Sequence, residues 1–542
     1  MTDLPPTERD SAGAEPTGPG GMSRRRFLEM LGLVGGGTLA YHGMTALGLV
    51  QASPENPLPR LEGRGEGIRF LILGAGLAGM AAAFELRKVG YDVTILEYQD
   101  RAGGRVVTLR GGDSFTEMGG ATQRVTFQDG NYFNPGPWRI PYHHHAVLDY
   151  CRQFGVTLEP FIQRNDNAYV HRQDAPVPRL RQREVRADFY GGIAELLAKS
   201  TNSGALNEEL SSEDREALLE ALRTWGVLDG DDRYVRGLDV STHRGYRVDP
   251  ADRLQPGVPS QPRPFSEILR HGFWEDLVTG LTYSYQNTIF QPVGGMDRIA
   301  RAFAERVGNL ITYNAHVDSL TVTEAGVRAT HTDRASGERR QVEADYCIST
   351  IPLPIMAQMR VRVSRELEAA IRSVPYAPSV KAGIETTRRF WEEDERIYGG
   401  VTFTDLPIQM ISYPSDRMNQ GGGGVLLGGY QFGSYAVQYS GMDPPERLRR
   451  MRDDVARIHP QLRGTFRSGV TWAWHRTPWV MGCYGIYSDE GRRTVYEALS
   501  RRHGRLMLAG EHISYWNGWM EGSLLSAISA VEALHQVAQG GR

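Results

Sequence analysis

The sequence predicts an α/β fold with three parts: a βαβ unit, a second domain built on a mixed sheet, and a helical insertion. Three observations predict it. Residues 68–97 read as strand, Gly-rich turn, helix and strand; residues 310–351 and 355–475 have strand-like patterns; and residues 186–290 combine helical spacing with long Pro/Gly/Arg loops. With 542 residues, of which 40% are hydrophobic, the chain can bury the cores of two or three domains.

The βαβ unit has the glycine spacing of a dinucleotide site. Its first strand, 68–73, enters the turn Gly74-Ala75-Gly76-Leu77-Ala78-Gly79. Gly74 permits the tight turn, and Gly76 lets the backbone approach a pyrophosphate that sits on the helix N-terminus. Gly79 lets the helix pack on the strand. Glu97 ends the second strand, where a carboxylate accepts ribose hydroxyls and disfavours the 2′-phosphate of NADP. We therefore predict a Rossmann-like domain with cofactor contacts at Gly74, Ala75, Gly76, Gly79 and Glu97.

The residues Gly103-Gly104, which we call the second glycine pair, follow the βαβ unit in the segment Asp100-Arg101-Ala102-Gly103-Gly104-Arg105. The pair brings Arg105 against the same pyrophosphate; the alternative is a flexible loop with a solvated arginine. The segment resembles the flavin amine oxidase family, which includes L-amino-acid, monoamine and polyamine oxidases. The resemblance covers residues 68–535 and is closest to bacterial L-amino-acid oxidases. It implies FAD, held by a Rossmann-like domain of the p-hydroxybenzoate-hydroxylase/amine-oxidase type with contacts at Gly104 and Arg105.

The resemblance also divides the chain into domains. It implies a discontinuous FAD-binding domain, a mixed-sheet substrate-binding domain and a helical domain that covers a funnel. We expect the FAD-binding domain at 68–130, 291–352 and 476–542, the substrate-binding domain at 131–185 and 353–475, and the helical domain at 186–290.

Further cofactor contacts follow from the resemblance. A Gly-rich segment, Glu117 to Arg124, resembles the one that passes beside the flavin ring in this family. Val317 would supply backbone contacts to adenine, and Glu511 would contact ribityl or phosphate atoms. The implied contacts are Gly119, Gly120, Gln123, Val317, Glu511, Trp519 and Met520.

The substrate contacts depend most on Arg139. Prolines flank it in Pro135-Gly136-Pro137-Trp138-Arg139-Ile140-Pro141, so its planar fork of donors leaves a stiff loop and matches a carboxylate. The stretch resembles the segment whose arginine holds the substrate carboxylate in L-amino-acid oxidases; the alternative is a structural ion pair. Tyr430 matches the tyrosine beside that arginine, although a strand tyrosine is often a core residue. The Gly518 carbonyl would accept from the substrate amino group.

Three residues are assigned catalytic roles by resemblance. Lys381 would hold a water at the flavin, while Trp474 and Trp519 would form pocket walls that exclude water. We read His143-His144-His145 as a solvated helix start without a metal. The three cysteines, Cys151, Cys347 and Cys483, are too widely spaced for a disulfide framework or a metal cluster and are expected to be small core residues.

The N-terminal residues predict export. Ser23-Arg24-Arg25-Arg26-Phe27-Leu28-Glu29 precedes an apolar, Gly-rich run and a small-residue exit at Ala52, which is typical of a twin-arginine signal over residues 1–52. An uncleaved membrane anchor is the alternative. We expect a linker at 53–67 and a soluble periplasmic or secreted protein. Relatives are often dimers, so the resemblance implies a homodimer, and a net charge of -3 does not call for nucleic acid.

The resemblance implies FAD-dependent oxidation of L-amino acids by O2 to a 2-oxo acid, ammonia and peroxide. Tyr283, Tyr285 and Phe290 suggest an apolar or aromatic side-chain pocket. Three alternatives stay open: an amine or polyamine oxidase, an amino-acid 2-monooxygenase of the tryptophan 2-monooxygenase kind, and an exported flavin-binding protein without turnover.

Overall fold

A computed structural model describes residues 58–250 and 254–540. The export signal predicted at 1–52 and the first part of the 53–67 linker lie outside the described residues. Among the helices that are described, none combines the length and the apolar character needed to cross a membrane.

A five-stranded parallel sheet forms the nucleotide-binding part. Its order is Ile311–Thr312, Asp92–Leu96, Arg69–Leu73, Tyr346–Ser349 and Leu506–Leu508. The central strand is apolar and its last four residues are buried, as expected for a strand covered on both faces. Helices Leu77–Lys88 and Met520–Gly540 pack against each other on the sheet. The Rossmann-like part of the predicted fold is therefore confirmed.

A seven-stranded mixed sheet forms the second part. Its strands are antiparallel except where Tyr169–His171 runs parallel to Val401–Thr404. In strand Ser379–Thr386, Lys381 lies opposite Tyr430 of one neighbouring strand and opposite Trp472 of the other. The order is Arg179–Arg181, Tyr169–His171, Val401–Thr404, Met410–Ser412, Gly424–Phe432, Ser379–Thr386 and Phe466–Ala473.

The helical part lies between residues 182 and 285. Ser211 caps one of its helices by accepting a hydrogen bond from the amide of Asp214 at 3.1 Å. Its helices are Gln182–Asn202, Ser212–Gly226, Leu238–Arg244, Phe265–Arg270, and the 3-10 helices Phe273–Leu281 and Tyr283–Tyr285; Tyr246–Val248 pairs with Val258–Pro259.

Smaller elements connect these parts. The other sheets are Arg339–Ala344, Val327–Asp333, Ala315–Val322 and Arg360–Arg362; Ile140–Pro141, Ile289–Pro292 and Leu158–Pro160; Leu109–Arg110 and Tyr132–Phe133; and Ser114–Thr116 and Thr122–Arg124. The other helices are His145–Phe154, Asp297–Val307, Leu353–Met356, Arg365–Ser373, Phe390–Glu393, Gly433–Ser440, Pro444–Ile458, Leu462–Thr465, Asp489–Thr494 and Tyr496–Ser500, with 3-10 turns Gly308–Leu310, Trp474–Arg476 and Glu511–Ile513.

Candidate active site

A cavity of about 1080 Å³ lies where the parallel strands end and reaches the mixed sheet. The residues that follow four of the parallel strands all line it, because the carboxyl ends of parallel strands meet at one edge. These residues are Gly74, Glu97, Thr350 and Gly510. The cavity therefore joins the nucleotide-binding part to the predicted substrate-binding part.

The glycine turn leaves room for an anion at the start of helix Leu77–Lys88. Gly76 caps that helix without a side-chain hydrogen bond, and no atom lies within 4 Å of where its Cβ would be. A Cβ on Gly79 would lie 1.9 Å from the Gly74 carbonyl oxygen, so only glycine allows this close packing. Unpaired N–H groups with open space before them fit a pyrophosphate.

Glu97 is buried beside this turn. Its Oε2 accepts from the Ala75 amide at 2.6 Å and its Oε1 accepts from the Gln99 amide at 2.8 Å. Burial raises the pKa of Glu97, while these two backbone hydrogen bonds oppose the rise. Each carboxylate oxygen keeps a lone pair for a second donor, so the residue fits a ribose diol.

Arg105 and Glu511 form an ion pair in the wall of the cavity. Arg105 Nη1 donates to Glu511 Oε1 at 2.6 Å and to the Cys483 carbonyl at 2.8 Å. Glu511 Oε2 accepts from the Gly518 amide at 3.0 Å. Gly104, Val317 and Met520 also line the cavity, so the structure brings these predicted cofactor residues together.

Arg139 lies in the other half of the cavity, inside an aromatic cage. Its guanidinium carbon is 4.3 Å from the ring centroid of Tyr285, 4.9 Å from that of Trp138 and 5.2 Å from that of Trp519. The residue is 7% exposed, and its Nε has no hydrogen-bond partner. Among residues 58–250 and 254–540, no carboxylate oxygen lies within 4.0 Å of a guanidinium nitrogen of Arg139, which is the limit for an ion pair. The predicted alternative of a structural ion pair therefore has no partner in this part of the chain.

Tyr430 and Trp474 line the cavity as predicted, whereas Lys381 lies behind its wall. Lys381 is fully buried; its Nζ donates to the Gly136 carbonyl at 2.5 Å and lies 4.2 Å from the Tyr430 ring centroid. Burial lowers the pKa of Lys381 to about 7. Trp474 Nε1 donates to the Pro135 carbonyl at 3.0 Å. Both side chains thus hold the loop that carries Arg139.

Five predicted cofactor contacts do not line the cavity: Gly119, Gly120 and Gln123, and also Ala75 and Gly79, which are buried behind the glycine turn. Gly119 and Gly120 form the exposed turn of the hairpin made by Ser114–Thr116 and Thr122–Arg124, and Gln123 bonds to Glu117 and Thr471 instead. Gly136 lines the cavity in their place. A Cβ on Gly136 would lie 2.0 Å from the Arg105 carbonyl oxygen, so only glycine lets the Arg139 loop approach Arg105 this closely.

The prediction of a solvated histidine run is wrong for two of its three members. His143 is 9% exposed and His144 is fully buried, whereas His145 is exposed. The His144 ring packs edge-to-face on Trp519, at 4.9 Å between centroids, and burial lowers its pKa well below the ordinary value. The described residues hold no cluster of three or more side chains suited to a metal.

Two other predictions are corrected in part. All three cysteines are free thiols, but Cys483 lines the cavity, while Cys151 and Cys347 are buried in the core as expected. Of the three aromatic residues expected at the side-chain pocket, only Tyr285 lines the cavity. Tyr283 stacks on His143 at 4.1 Å, and Phe290 packs against the core.

Comparisons with known proteins agree with this geometry. A family model described as flavin containing amine oxidoreductase matches residues 77–535. A putative L-amino-acid oxidase, YobN, of Bacillus subtilis (strain 168) is 28% identical over 471 residues, which cover 85% of this chain and 93% of that protein. The L-amino-acid oxidase of Pseudechis australis is 26% identical over 483 residues, which cover 87% of each protein.

Solved structures share the fold. Cyclohexylamine oxidase from Brevibacterium oxydans IH-35A superposes with a TM-score of 0.58 at 17% identity and covers 87% of this chain and 99% of its own. Wild-type putrescine oxidase bound to putrescine superposes with a TM-score of 0.54 at 18% identity. The match covers 87% of this chain and 98% of the putrescine oxidase chain. The anion cradle at Gly76 and the acid at Glu97 fit the pyrophosphate and ribose of a flavin dinucleotide, and the matching family model is that of flavin-containing enzymes. The chain belongs to the flavin-containing amine oxidoreductase family, and its cofactor is FAD.

Proposed function

We propose that the protein oxidises L-α-amino acids with O2 and releases a 2-oxo acid, ammonia and hydrogen peroxide. The observation that carries this proposal is the Arg139 guanidinium, which is buried in the cavity without a carboxylate partner among the described residues. A buried charge that lacks a partner destabilises the folded protein. A substrate carboxylate supplies that partner, whereas the cation of a simple amine does not.

The surroundings of Arg139 suit a carboxylate. Its guanidinium can donate two parallel hydrogen bonds, and Tyr430 lines the same cavity with a hydroxyl that can donate a third. The aromatic rings around Arg139 exclude water, and therefore strengthen the ion pair. The names of the two relatives, a putative L-amino-acid oxidase of Bacillus subtilis and the L-amino-acid oxidase of Pseudechis australis, support the same substrate class.

FAD, when bound, supplies the acceptor for the two electrons and the α-hydrogen that leave the substrate. The protein's own residues bind and orient. Arg139 holds the carboxylate, and the Gly518 carbonyl in the same cavity can accept a hydrogen bond from the amino group. Two anchored groups fix which face of the α-carbon points to the cofactor, so the arrangement favours one enantiomer. The buried Trp474 and the half-buried Trp519 limit the water in the cavity.

The reaction balances without a metal or a protein nucleophile. The α C–H and one N–H are lost as two electrons and two protons, which convert O2 to hydrogen peroxide. The resulting imine takes up water and releases ammonia and the 2-oxo acid.

The test is anaerobic mixing of the purified yellow protein with L-amino acids, D-amino acids and simple amines, while the visible flavin band is recorded. We expect only L-amino acids to bleach the band and aeration to yield peroxide and a 2-oxo acid. Bleaching by amines alone would contradict the proposal, and a band that no compound bleaches would favour a binding protein without turnover. Release of an amide and CO2 would indicate a monooxygenase instead.

A further inference from the structure

A buried carboxylate, that of Glu521, joins the FAD-binding part of the protein to the segment that follows Arg139. Glu521 is 3% exposed and is the second residue of helix Met520–Gly540. Its Oε1 accepts from the Ala146 amide at 2.9 Å, and its Oε2 accepts from the Val147 amide at 3.0 Å. The side chain therefore binds two consecutive amides in a distant part of the chain.

Helix His145–Phe154, which contains these amides, begins without a capping side chain of its own. The first amides of a helix have no partner within the helix, and a Ser, Thr, Asp or Asn at the N-cap usually accepts from one of them. Here the N-cap residue is His144, whose side chain makes no capping hydrogen bond, and the first turn holds no acidic residue. Glu521 thus supplies the cap from another helix.

A carboxylate at this position is costly unless its geometry is used. Among the described residues, no lysine, arginine or histidine nitrogen lies within 4.0 Å of the Glu521 oxygens. Burial without a cation disfavours the charged form and raises the pKa of Glu521 to about 7. Because each oxygen binds a different amide, only one relative position of the two helix starts satisfies both hydrogen bonds.

Both helix starts lie at the substrate half of the cavity. Trp519 and Met520, which immediately precede Glu521, line the cavity. The ring of His144, at the other helix start, packs edge-to-face on Trp519 with 4.9 Å between centroids. The guanidinium carbon of Arg139 lies 5.2 Å from the centroid of the same tryptophan ring. The capped helix, the pocket wall and the guanidinium are therefore in continuous contact.

The segment around Arg139 is held on both sides. Before it, Lys381 donates to the Gly136 carbonyl at 2.5 Å. After it, the chain enters helix His145–Phe154, whose start is held by Glu521. The two anchors leave little freedom for the guanidinium between them.

We propose that Glu521 is a positioning residue for the substrate carboxylate, because it fixes Arg139 relative to the start of helix Met520–Gly540. Glu521 does not line the cavity and therefore acts through the residues that do. A bidentate contact between a guanidinium and a carboxylate depends on exact placement, so a small shift of Arg139 weakens it. This inference rests on the proposed function, since it takes the substrate carboxylate to bind Arg139.

The test variant is Glu521→Gln in the holoenzyme. Glutamine keeps the shape of the side chain, but its amide nitrogen cannot accept a hydrogen bond, so one of the two amides loses its partner. The probes are benzoate and benzamide, which match in shape and differ in the carboxylate. Their dissociation constants are measured from the shift of the visible flavin band, and kcat and KM are measured with the preferred L-amino acid.

We expect the benzoate dissociation constant and the KM for the L-amino acid to rise by about fivefold or more. The benzamide dissociation constant and kcat should change by less than about threefold, because neither depends on the carboxylate contact once the ligand is bound. Equal changes for benzoate and benzamide, or a lower kcat with an unchanged KM, would overturn the inference.

The matched control is Asp333→Asn. Asp333 also accepts from two backbone amides, those of Ala335 at 2.8 Å and Ser336 at 2.9 Å, in a turn that does not line the cavity. Its loss should leave the ratio of the benzoate and benzamide dissociation constants unchanged. The same change of this ratio in both variants would show a general effect of stability and would overturn the inference.

A second variant, Glu521→Asp, keeps both acceptor oxygens but withdraws them from the amides by one methylene. It should weaken benzoate binding in the same direction. Absorbance of bound FAD verifies that each variant is folded. Failure of both Glu521 variants to bind FAD would show a role in folding alone and would also contradict the inference.

The outcomes distinguish this inference from the proposed function. A wild-type protein that oxidises L-amino acids, with Glu521 variants that affect benzoate and benzamide equally, would overturn the positioning role alone. A wild-type protein that oxidises simple amines alone and does not bind benzoate would overturn the proposed function, and the positioning role with it.

Discussion

Arg105 donates a hydrogen bond to Glu511 across 406 positions of sequence, at 2.6 Å. The contact joins the second glycine pair to the segment that follows the last parallel strand. Glu511 also accepts a hydrogen bond from the Gly518 amide. Loops from distant parts of the chain are therefore joined by one buried carboxylate at the wall of the FAD site.

Replacing Glu511 should weaken FAD binding. Glu511→Gln removes the charge that pairs with Arg105, and loss of a charge-assisted hydrogen bond costs about 1.5–3 kcal/mol, or roughly 10- to 100-fold in the FAD dissociation constant. The release of FAD on dilution of each variant measures the change in this dissociation constant. The control is Glu366→Gln, whose partner Arg501 and own side chain are both exposed. Full FAD retention by Glu511→Gln would contradict this account of the site.

Gly136 should tolerate no side chain. A Cβ there would lie 2.0 Å from the Arg105 carbonyl oxygen, so Gly136→Ala must displace either the Arg139 loop or the second glycine pair. We expect poor FAD incorporation and a lowered Tm. Gly464→Ala is the matched control because no atom lies within 4 Å of its Cβ position. Equal FAD content in the two variants would count against the close approach.

Lys381 should destabilise the folded protein most at neutral and acid pH. Its pKa falls to about 7 on burial, from 10.5, so between these values the unfolded chain binds more protons than the folded one. Stability therefore rises with pH across that window. The Tm advantage of Lys381→Met over the wild-type protein should shrink as the pH is raised from about 7 to about 10. An advantage that does not change with pH would contradict the assignment.

Glu521 should have the opposite pH dependence. Its oxygens accept from the amides of Ala146 at 2.9 Å and Val147 at 3.0 Å, and burial raises its pKa to about 7 from 4.5. The folded state binds more protons between these values, so stability is greatest at low pH and falls through this window. Relative to Glu521→Gln, the wild-type protein should lose Tm as the pH rises from about 5 to about 8. Parallel Tm curves for the two proteins would refute this prediction.

The sequence was most informative where function depends on local spacing. The turn from Gly74 to Gly79 and Glu97 lie within one βαβ unit, so their approach follows from short-range geometry. Arg139 was identifiable because its flanking prolines stiffen the loop. The first strand, predicted at 68–73, is present at Arg69–Leu73.

Other features depend on long-range packing, which periodicity does not reveal. His144 is buried because Trp516 and Trp519, far along the chain, cover it. Gly119 and Gly120 resemble a cofactor-binding turn in sequence, but the hairpin that contains them does not line the cavity.

The central claim is that Arg139 binds the substrate carboxylate. The measurement is kcat/KM of the wild-type protein and of Arg139→Met for the preferred L-amino acid and for the amine that remains after its carboxylate is removed. Arg457→Met, at a half-exposed arginine, is the control. We predict a loss of about 100-fold or more for the amino acid, because a buried carboxylate would lose its charged partner, and a change of less than about threefold for the amine. An equal loss for both compounds, or no loss for the amino acid, would contradict the account.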